Sequence, residues 1–263
     1  MAVTILMGKA GNGKSSQCFN ELQAWEAAGG KAMLLVPDQA TYGAERRLAE
    51  HAKGRGFVGT QVVGFSRLAY NVFQEQGLSH ASLSELARKI ILQRLLHKGE
   101  KDFSLLQTAA RQPNFADTAG RFLGECRSFC VSSDTLRKAA DAVSSTTLSH
   151  KLQDMALLYD MYQAFLSDHF GSADDTMTLL AKAVDKDPFL QGARVWVDGF
   201  QWFTPQQMNI LQQIEAVTDH LTITLTIDAD HLLQQRRETA LFHRAYEVYR
   251  DLQRLFPHLE TAV

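Results

Sequence analysis

Short apolar segments alternate with amphipathic segments in the first part of the chain. Residues 2–7 (AVTILM), 31–37 (KAMLLVP) and 60–65 (TQVVGF) are largely apolar runs of strand length, and each is followed by a segment with apolar residues at helical spacing. Strands that are apolar throughout are typical of a parallel sheet whose two faces are covered by helices. The pattern therefore predicts an α/β fold with a parallel sheet.

The pattern changes between residues 78 and 190. Long segments there carry apolar residues three and four positions apart, with almost no strand signal, as in SLSELARKIILQRLL and LSHKLQDMALLYDMYQAFLSDHF. Strand-type segments return at 193–200 (ARVWVDGF) and 220–228 (HLTITLTID). We predict a discontinuous α/β domain, formed by residues 1–77 and 191–263, with an inserted all-helical subdomain at 78–190.

The end of the sequence has no predicted closing element. The helical pattern LFHRAYEVYRDLQRLF, residues 241–256, runs directly into PHLETAV. We predict neither a helix nor a strand in that last segment, and we expect the sequence to be a piece of a longer protein.

The loop after the first predicted strand has a phosphate-binding pattern. GKAGNGKSS fits G-x-x-x-x-G-K-[ST], in which glycines let backbone N–H groups turn toward phosphate oxygens and the next helix adds its dipole. In this pattern Lys14 reaches the β- and γ-phosphates of ATP and the Ser15 hydroxyl binds Mg²⁺. A glycine-rich turn without a ligand is the alternative. The predicted nucleotide-binding residues are Gly8, Lys9, Ala10, Gly11, Asn12, Gly13, Lys14, Ser15 and Ser16.

An aspartate follows the strand-type segment VWV near residue 195. Nucleotide hydrolases with a phosphate loop hold Mg²⁺ with an aspartate at the end of a neighbouring strand, directly or through water. Asp198 has this position. We predict a magnesium site formed by Ser15 and Asp198, and a capping or surface aspartate is the alternative.

Composition and charge narrow the range of partners. The chain has 263 residues and a formal net charge of -2, so any nucleic-acid contact must come from a local patch. No apolar run approaches the about 18 residues that span a bilayer, and we expect no membrane contact. Three cysteines, Cys18, Cys126 and Cys130, without a signal peptide indicate reduced thiols in the cytoplasm.

Three motifs together carry a resemblance to a known family. LVPDQ (35–39), FSRLA (65–69) and VDGFQWFTPQ (197–206) occur in the order in which UvrD-like superfamily 1 DNA helicases place their conserved segments. The last motif is similar to the VDEFQDTNxxQ segment of those helicases. The combination most closely resembles the N-terminal region of the AddB/RexB family, the B subunits of bacterial ATP-dependent helicase–nucleases. The resemblance covers essentially the whole chain.

This resemblance implies a degenerate helicase domain with a P-loop NTPase (RecA-like) fold, ATP and Mg²⁺ as ligands, and a role in double-strand break repair. In the family, the B subunit is not the main motor, forms a heterodimer with an A subunit at a DNA end, and scans single-stranded DNA for a recombination hotspot sequence. Its nuclease region and iron–sulphur cluster lie near the C-terminus of the full-length protein, outside this sequence. The cluster ligands therefore do not map onto the three cysteines here.

Departures from the helicase pattern predict weak hydrolysis. The helicases have a glutamate after the magnesium aspartate, where this chain has Gly199, and they have a γ-phosphate-sensing glutamine where this chain reads DADHLL. The arginines that complete their site come from a second motor domain. Losing a positioned general base typically costs about 10²–10⁴-fold in rate. We expect nucleotide to bind here and to turn over slowly or not at all.

The ends of the predicted strands also carry candidate DNA contacts. Aromatic side chains stack on bases, and Arg67 is suited to a phosphate or a base edge. The alternative is that the aromatic residues are core residues. The predicted DNA-binding residues are Gln39, Thr41, Phe65, Arg67, Tyr70 and Phe203, with Trp202 beside them.

Two other functional classes stay open. A small-molecule P-loop kinase of the thymidine-kinase type has a similar early loop and a DExQF strand end that resembles DGFQWF. Such a kinase needs an acidic base that is missing here. A structural module whose helical block docks a partner subunit is the third possibility.

Overall fold

The computed structural model describes residues 2–52, 57–78, 83–112, 114–170 and 175–262. The chain divides into two compact units, a sheet unit of residues 1–79 and 176–263 and a helical unit of residues 80–175.

The sheet unit is built on six parallel strands. They are β1 (Ala2–Gly8), β2 (Ala32–Leu35), β3 (Thr60–Val63), β4 (Arg194–Val197), β5 (His220–Thr226) and β6 (Leu259–Ala262). Their order across the sheet is β3-β2-β4-β5-β1-β6. Because all the strands are parallel, their carboxyl ends lie along one edge, where ligands of open α/β sheets bind.

Eleven helices were identified in the described ranges. They are α1 (Lys14–Ala27), α2 (Thr41–His51), α3 (Phe65–Glu75), α4 (Glu85–Lys98), α5 (Gln107–Ala110), α6 (Phe115–Ser128), α7 (Ser133–Ala142), α8 (Thr146–Phe170), α9 (Thr176–Ala183), α10 (Pro205–Glu215) and α11 (His243–Leu255). Within those ranges no helix is both long and apolar enough to cross a membrane.

Helices cover both faces of the sheet, which explains why its strands are so apolar. One face packs Ile5, Met33 and Ile223 against α3, α9, α10 and α11. The other face packs Leu34 and Trp196 against α1 and α2. The confirmed sequence prediction is therefore the α/β class with a fully parallel sheet.

The end of the described chain corrects one prediction. Leu259–Ala262 forms β6, which pairs with β1 in the register Val3 to Leu259, so the expectation of no element after the last helix was wrong. Leu259 is partly buried and Glu260 is exposed. A four-residue edge strand with so little apolar surface gives no clear periodic signal.

The helical unit consists of α4 to α8 around its own core, which includes Leu92, Leu96 and Leu158. Its buried Asp154 accepts hydrogen bonds from the backbone N–H groups of Ser104, Leu105 and Leu106 at 2.7–2.9 Å. These bonds satisfy a carboxylate that would otherwise be costly to bury.

The helical unit ends earlier than the sequence division at residue 190. Leu180, Ala183 and Val184 are buried in the core of the sheet unit. Because α9 has the same amphipathic pattern as the helices before it, periodicity alone cannot show which core it joins.

Leu221→Ala is expected to lower the free energy of unfolding by about 2–5 kcal/mol, because Leu221 is fully buried in the central strand β5. Leu233→Ala is the matched control, since that leucine is exposed and its loss should cost within about 0.5 kcal/mol. Urea unfolding followed by circular dichroism measures both. Equal costs for the two variants would contradict the position of β5.

Candidate functional site

A cavity of about 790 Å³ lies where the carboxyl ends of β4 and β5 meet the loop after β1. Four segments line it: the phosphate loop with the start of α1, the residues after β4, the end of β5, and the start of α11. The lining residues are Ala10, Gly11, Gly13, Lys14, Ser15, Ser16, Asp198, Gly199, Phe200, Gln201, Thr224, Leu225, Thr226, Leu241, Phe242, Arg244 and Ala245.

The backbone of the phosphate loop requires glycine at two positions. Gly11 and Gly13 have φ values of 85° and 82°, in the left-handed region that other residues rarely adopt. Gly13 is the N-cap of α1 and offers no side chain to the N–H groups of the first turn. Those N–H groups are thus available to an anion in the cavity.

Lys14 is held inside the loop. Its Nζ donates to the carbonyl oxygens of Gly8 and Lys9, both at 2.8 Å. Burial lowers the pKa of Lys14 below its ordinary value, and the negative charge of Asp198 opposes part of this shift. A phosphate bound beside Lys14 would favour the charged ammonium further.

Asp198 is buried and firmly oriented. Its backbone N–H donates to Leu35 O at 2.9 Å, and its Oδ1 accepts a 2.6 Å hydrogen bond from Thr224 Oγ1. In the described part of the chain, Oδ2 has no hydrogen bond or ion pair. An oriented carboxylate with one oxygen free, in a cavity that Ser15 also lines, fits a Mg²⁺ ligand set.

Thr224 was missed by the sequence analysis, although the strand carries a signal. Thr222 and Thr224 are buried polar residues in the otherwise apolar run LTITLT. They alternate with Ile223, which packs on the opposite face of the sheet. A polar residue at a buried strand position needs a hydrogen-bond partner, and for Thr224 that partner is Asp198.

Gly199 adopts a conformation that favours glycine. Its φ is 82°, and an added Cβ would meet only Pro37 Cδ at 3.6 Å, an ordinary contact. The constraint is therefore the backbone rather than space. Among the lining residues that the structure describes, Asp198 is the one carboxylate, so no second acidic group stands where a general base would act.

The segment from Gly199 to Phe203 is fixed at its far end by the start of α10. Thr204 Oγ1 accepts from Gln207 N at 3.2 Å, and Gln207 Oε1 accepts from Thr204 N at 2.9 Å. This capping box, followed by proline at the first helical position, is the physical meaning of the sequence TPQQ.

Three of the predicted nucleotide-binding residues lie in the loop without lining the cavity. They are Gly8, Lys9 and Asn12. Lys9 instead pairs with Asp228, at 3.1 Å between Nζ and Oδ2, which ties the loop to the segment after β5.

Two of the predicted DNA contacts are core residues by position. Phe65 and Phe203 are 3% and 8% exposed. Phe200 lies against both: its ring is edge-on to Phe65 at 5.7 Å and stacked on Phe203 at 5.0 Å between centroids. These rings anchor the carboxyl edge of the sheet and leave little of Phe65 or Phe203 for a base to stack on.

The other predicted DNA contacts are more accessible. Gln39, Arg67 and Tyr70 are exposed, while the half-buried Thr41 donates through Oγ1 to Asp38 O at 3.0 Å. Arg67 lies 3.4 Å from Glu45. Sequence reasoning passed over Tyr42, which is 76% exposed, because one aromatic residue on a polar helix face gives no distinct pattern.

Asp38 joins the two segments that carry these side chains. Its carboxylate accepts from Ser66 N at 3.1 Å and from Ser66 Oγ at 2.8 Å. Gly64 is needed beside it, because a Cβ there would lie 2.0 Å from Asp38 Oδ1. The VPDQ and FSRLA motifs therefore form one connected surface after β2 and β3.

Comparison with known proteins agrees with this motif set. The sequence model of the family described as "ADDB, N-terminal" matches residues 5–263. The chain belongs to this AddB N-terminal family. The family resemblance carried by LVPDQ, FSRLA and VDGFQWFTPQ is thereby confirmed.

Curated relatives of this AddB N-terminal chain share one name, that of the B subunit of an ATP-dependent helicase/deoxyribonuclease. The chain is 34% identical over 257 residues to this protein of Pelotomaculum thermopropionicum, covering 95% of the chain and 22% of the relative. It is 31% identical over 259 residues to the protein of the same name from Bacillus subtilis, again covering 95% and 22%. The chain thus spans about a fifth of the length of these relatives.

Gly199→Ala is expected to destabilise the AddB N-terminal chain by about 1–2 kcal/mol, because alanine is strained in the left-handed region. Gly43→Ala is the matched control: Gly43 lies in α2 with open space around it, and alanine favours a helix by about 0.5–1 kcal/mol. Thermal or urea unfolding compares the two. A stabilising Gly199→Ala would contradict the positive φ at this position.

Proposed function

We propose that this chain is the nucleotide- and DNA-binding N-terminal domain of a helicase–deoxyribonuclease B subunit, with a P-loop NTPase (RecA-like) architecture. In this proposal it binds Mg–ATP with little or no hydrolysis. One observation carries the nucleotide assignment: Lys14 and Asp198 line a single cavity that has no second carboxylate in the described residues. The family membership supports the DNA-processing context.

The proposed nucleotide site uses the loop N–H groups and Lys14 for the phosphates, and Ser15 with Asp198 for Mg²⁺. When bound, Mg²⁺ would neutralise phosphate charge. Thr224 keeps Asp198 oriented, and burial of the Lys14 ammonium strengthens its attraction for an anion. These side chains bind and orient the ligand, but none of them can take a proton from an attacking water in place of the missing glutamate.

The kinase alternative is not favoured. A kinase of that type would need an acidic base beside its acceptor hydroxyl. Asp198 is the one carboxylate among the described lining residues, and it is already hydrogen-bonded to Thr224. The match of the AddB N-terminal family over residues 5–263 points to the helicase–nuclease context instead.

Lys14→Ala is expected to weaken Mg–ATP binding at least about 10-fold, because a hydrogen bond to a charged group contributes about 1.5–3 kcal/mol. Isothermal titration calorimetry measures this. Lys31→Ala is the matched control, since Lys31 lies at the amino end of β2 and donates to Pro188 O at 2.7 Å. Wild-type protein that binds no Mg–ATP, or a Lys14→Ala variant that binds equally well, would contradict the nucleotide site.

The proposed DNA surface lies on the connected VPDQ and FSRLA segments. Arg67 and Tyr70 project from α3, and Gln39 follows β2. Exposed aromatic rings stack bases without needing a particular sequence, and Arg67 adds a cation for the phosphate backbone. In the whole protein, this surface would scan single-stranded DNA at a DNA end for a hotspot sequence, beside an A subunit. The nuclease and its iron–sulphur cluster would lie in the remainder of the full-length protein.

Arg67→Ala and Tyr70→Ala should each weaken binding of single-stranded DNA, because stacking alone contributes about 1–3 kcal/mol per base. Fluorescence anisotropy of a labelled oligonucleotide at several salt concentrations measures this. Both residues are exposed, so neither change empties the core, as Phe65→Ala would.

Arg254→Ala is the control for this experiment. Arg254 is similarly exposed and ion-paired, at 2.9 Å from Asp251, but lies in the last turn of α11. Loss of affinity in all three variants alike would indicate non-specific charge attraction, and unchanged affinity in Arg67→Ala and Tyr70→Ala would reject this surface.

A further inference from the structure

A second helix begins at the cavity of the phosphate loop. Arg244 and Ala245, in the first turn of α11, line the same cavity as the first turn of α1. The N–H groups of a first helical turn lack partners within the helix and carry positive potential. Two helix starts therefore contribute positive potential to one cavity.

Arg244 has a position that is unfavourable without a nearby anion. A cation in the first turn of a helix opposes the helix dipole. Neither α1 nor α11 has an acidic residue in its first turn to offset this. Arg244 is exposed, and in the described ranges its guanidinium makes no hydrogen bond or ion pair.

The other cations nearby are already engaged. Lys14 donates to two loop carbonyls, and Lys9 pairs with Asp228. Lys14 and Arg244 are the two cations among the described residues that line the cavity. Arg244 is thus the lining cation whose donors are all free for a ligand.

We propose that Arg244 binds the terminal phosphate of a nucleoside triphosphate in this cavity and makes the site prefer the triphosphate to the diphosphate. The proposal rests on the proposed nucleotide site. A planar guanidinium with five donors matches phosphate oxygens in pairs, which an ammonium cannot do. A triphosphate carries one negative charge more than a diphosphate, and a second cation in the cavity compensates that charge. The helicases take such arginines from a second motor domain, whereas Arg244 belongs to the same domain as the loop.

Calorimetry on the 263-residue chain tests this with Mg–ATP and Mg–ADP titrated separately. Arg244→Ala is expected to lower ATP affinity about 10-fold or more, with little change in ADP affinity, so that the preference for ATP is lost. Arg244→Lys should recover part of the preference, because it restores the charge without the planar pair of donors. Arg250→Ala is the matched control, an arginine of the same helix that does not line the cavity, and both of its affinities should match the wild type.

The outcomes separate this proposal from the nucleotide site itself. Wild-type protein that binds both nucleotides, with an unchanged ATP-to-ADP affinity ratio in Arg244→Ala, overturns the role of Arg244 and leaves the nucleotide site standing. Equal losses for ATP and ADP, with unchanged circular dichroism, overturn the terminal-phosphate assignment. Wild-type protein that binds neither nucleotide overturns both proposals.

Discussion

The hydrogen bond from Thr224 Oγ1 to Asp198 Oδ1 is the constraint on which the candidate site depends. A carboxylate this deeply buried is costly unless it is hydrogen-bonded, and the parallel pairing of β4 with β5, Val197 beside Ile223, brings the threonine next to it. Strand β5 also pairs with β1, which leads into the phosphate loop. The strand order of the sheet therefore determines that Asp198 and Lys14 share one cavity.

The segment between β4 and α10 explains how such a site binds without catalysing. Gly199 turns the chain with a positive φ, Phe200 then packs between two buried rings, and a capping box fixes the start of the helix. The turn leaves a cavity with one described carboxylate, which suits metal binding. The proposed separation of nucleotide binding from hydrolysis follows from this local backbone rather than from a damaged loop.

The sequence predicts those parts of the molecule whose physical signals are local. The apolar strand runs, the glycines of the phosphate loop and the TPQQ helix start all depend on neighbouring residues, and the structure has the corresponding elements. Tertiary contacts decide the rest. The burial of Phe65 and Phe203 depends on Phe200, and β6 depends on the edge that β1 offers. Arg244 follows no motif, because its place at the cavity arises only when α11 packs beside β5.

The most direct test of this account asks whether bound ATP stays intact. The chain, in excess over γ-labelled ATP with Mg²⁺, is quenched with acid at successive times, and free phosphate is measured. The account predicts that ATP remains uncleaved over many minutes, far below the about 1–10³ s⁻¹ of ordinary enzymes. Phosphate release near that range, abolished by Lys14→Ala, would contradict it.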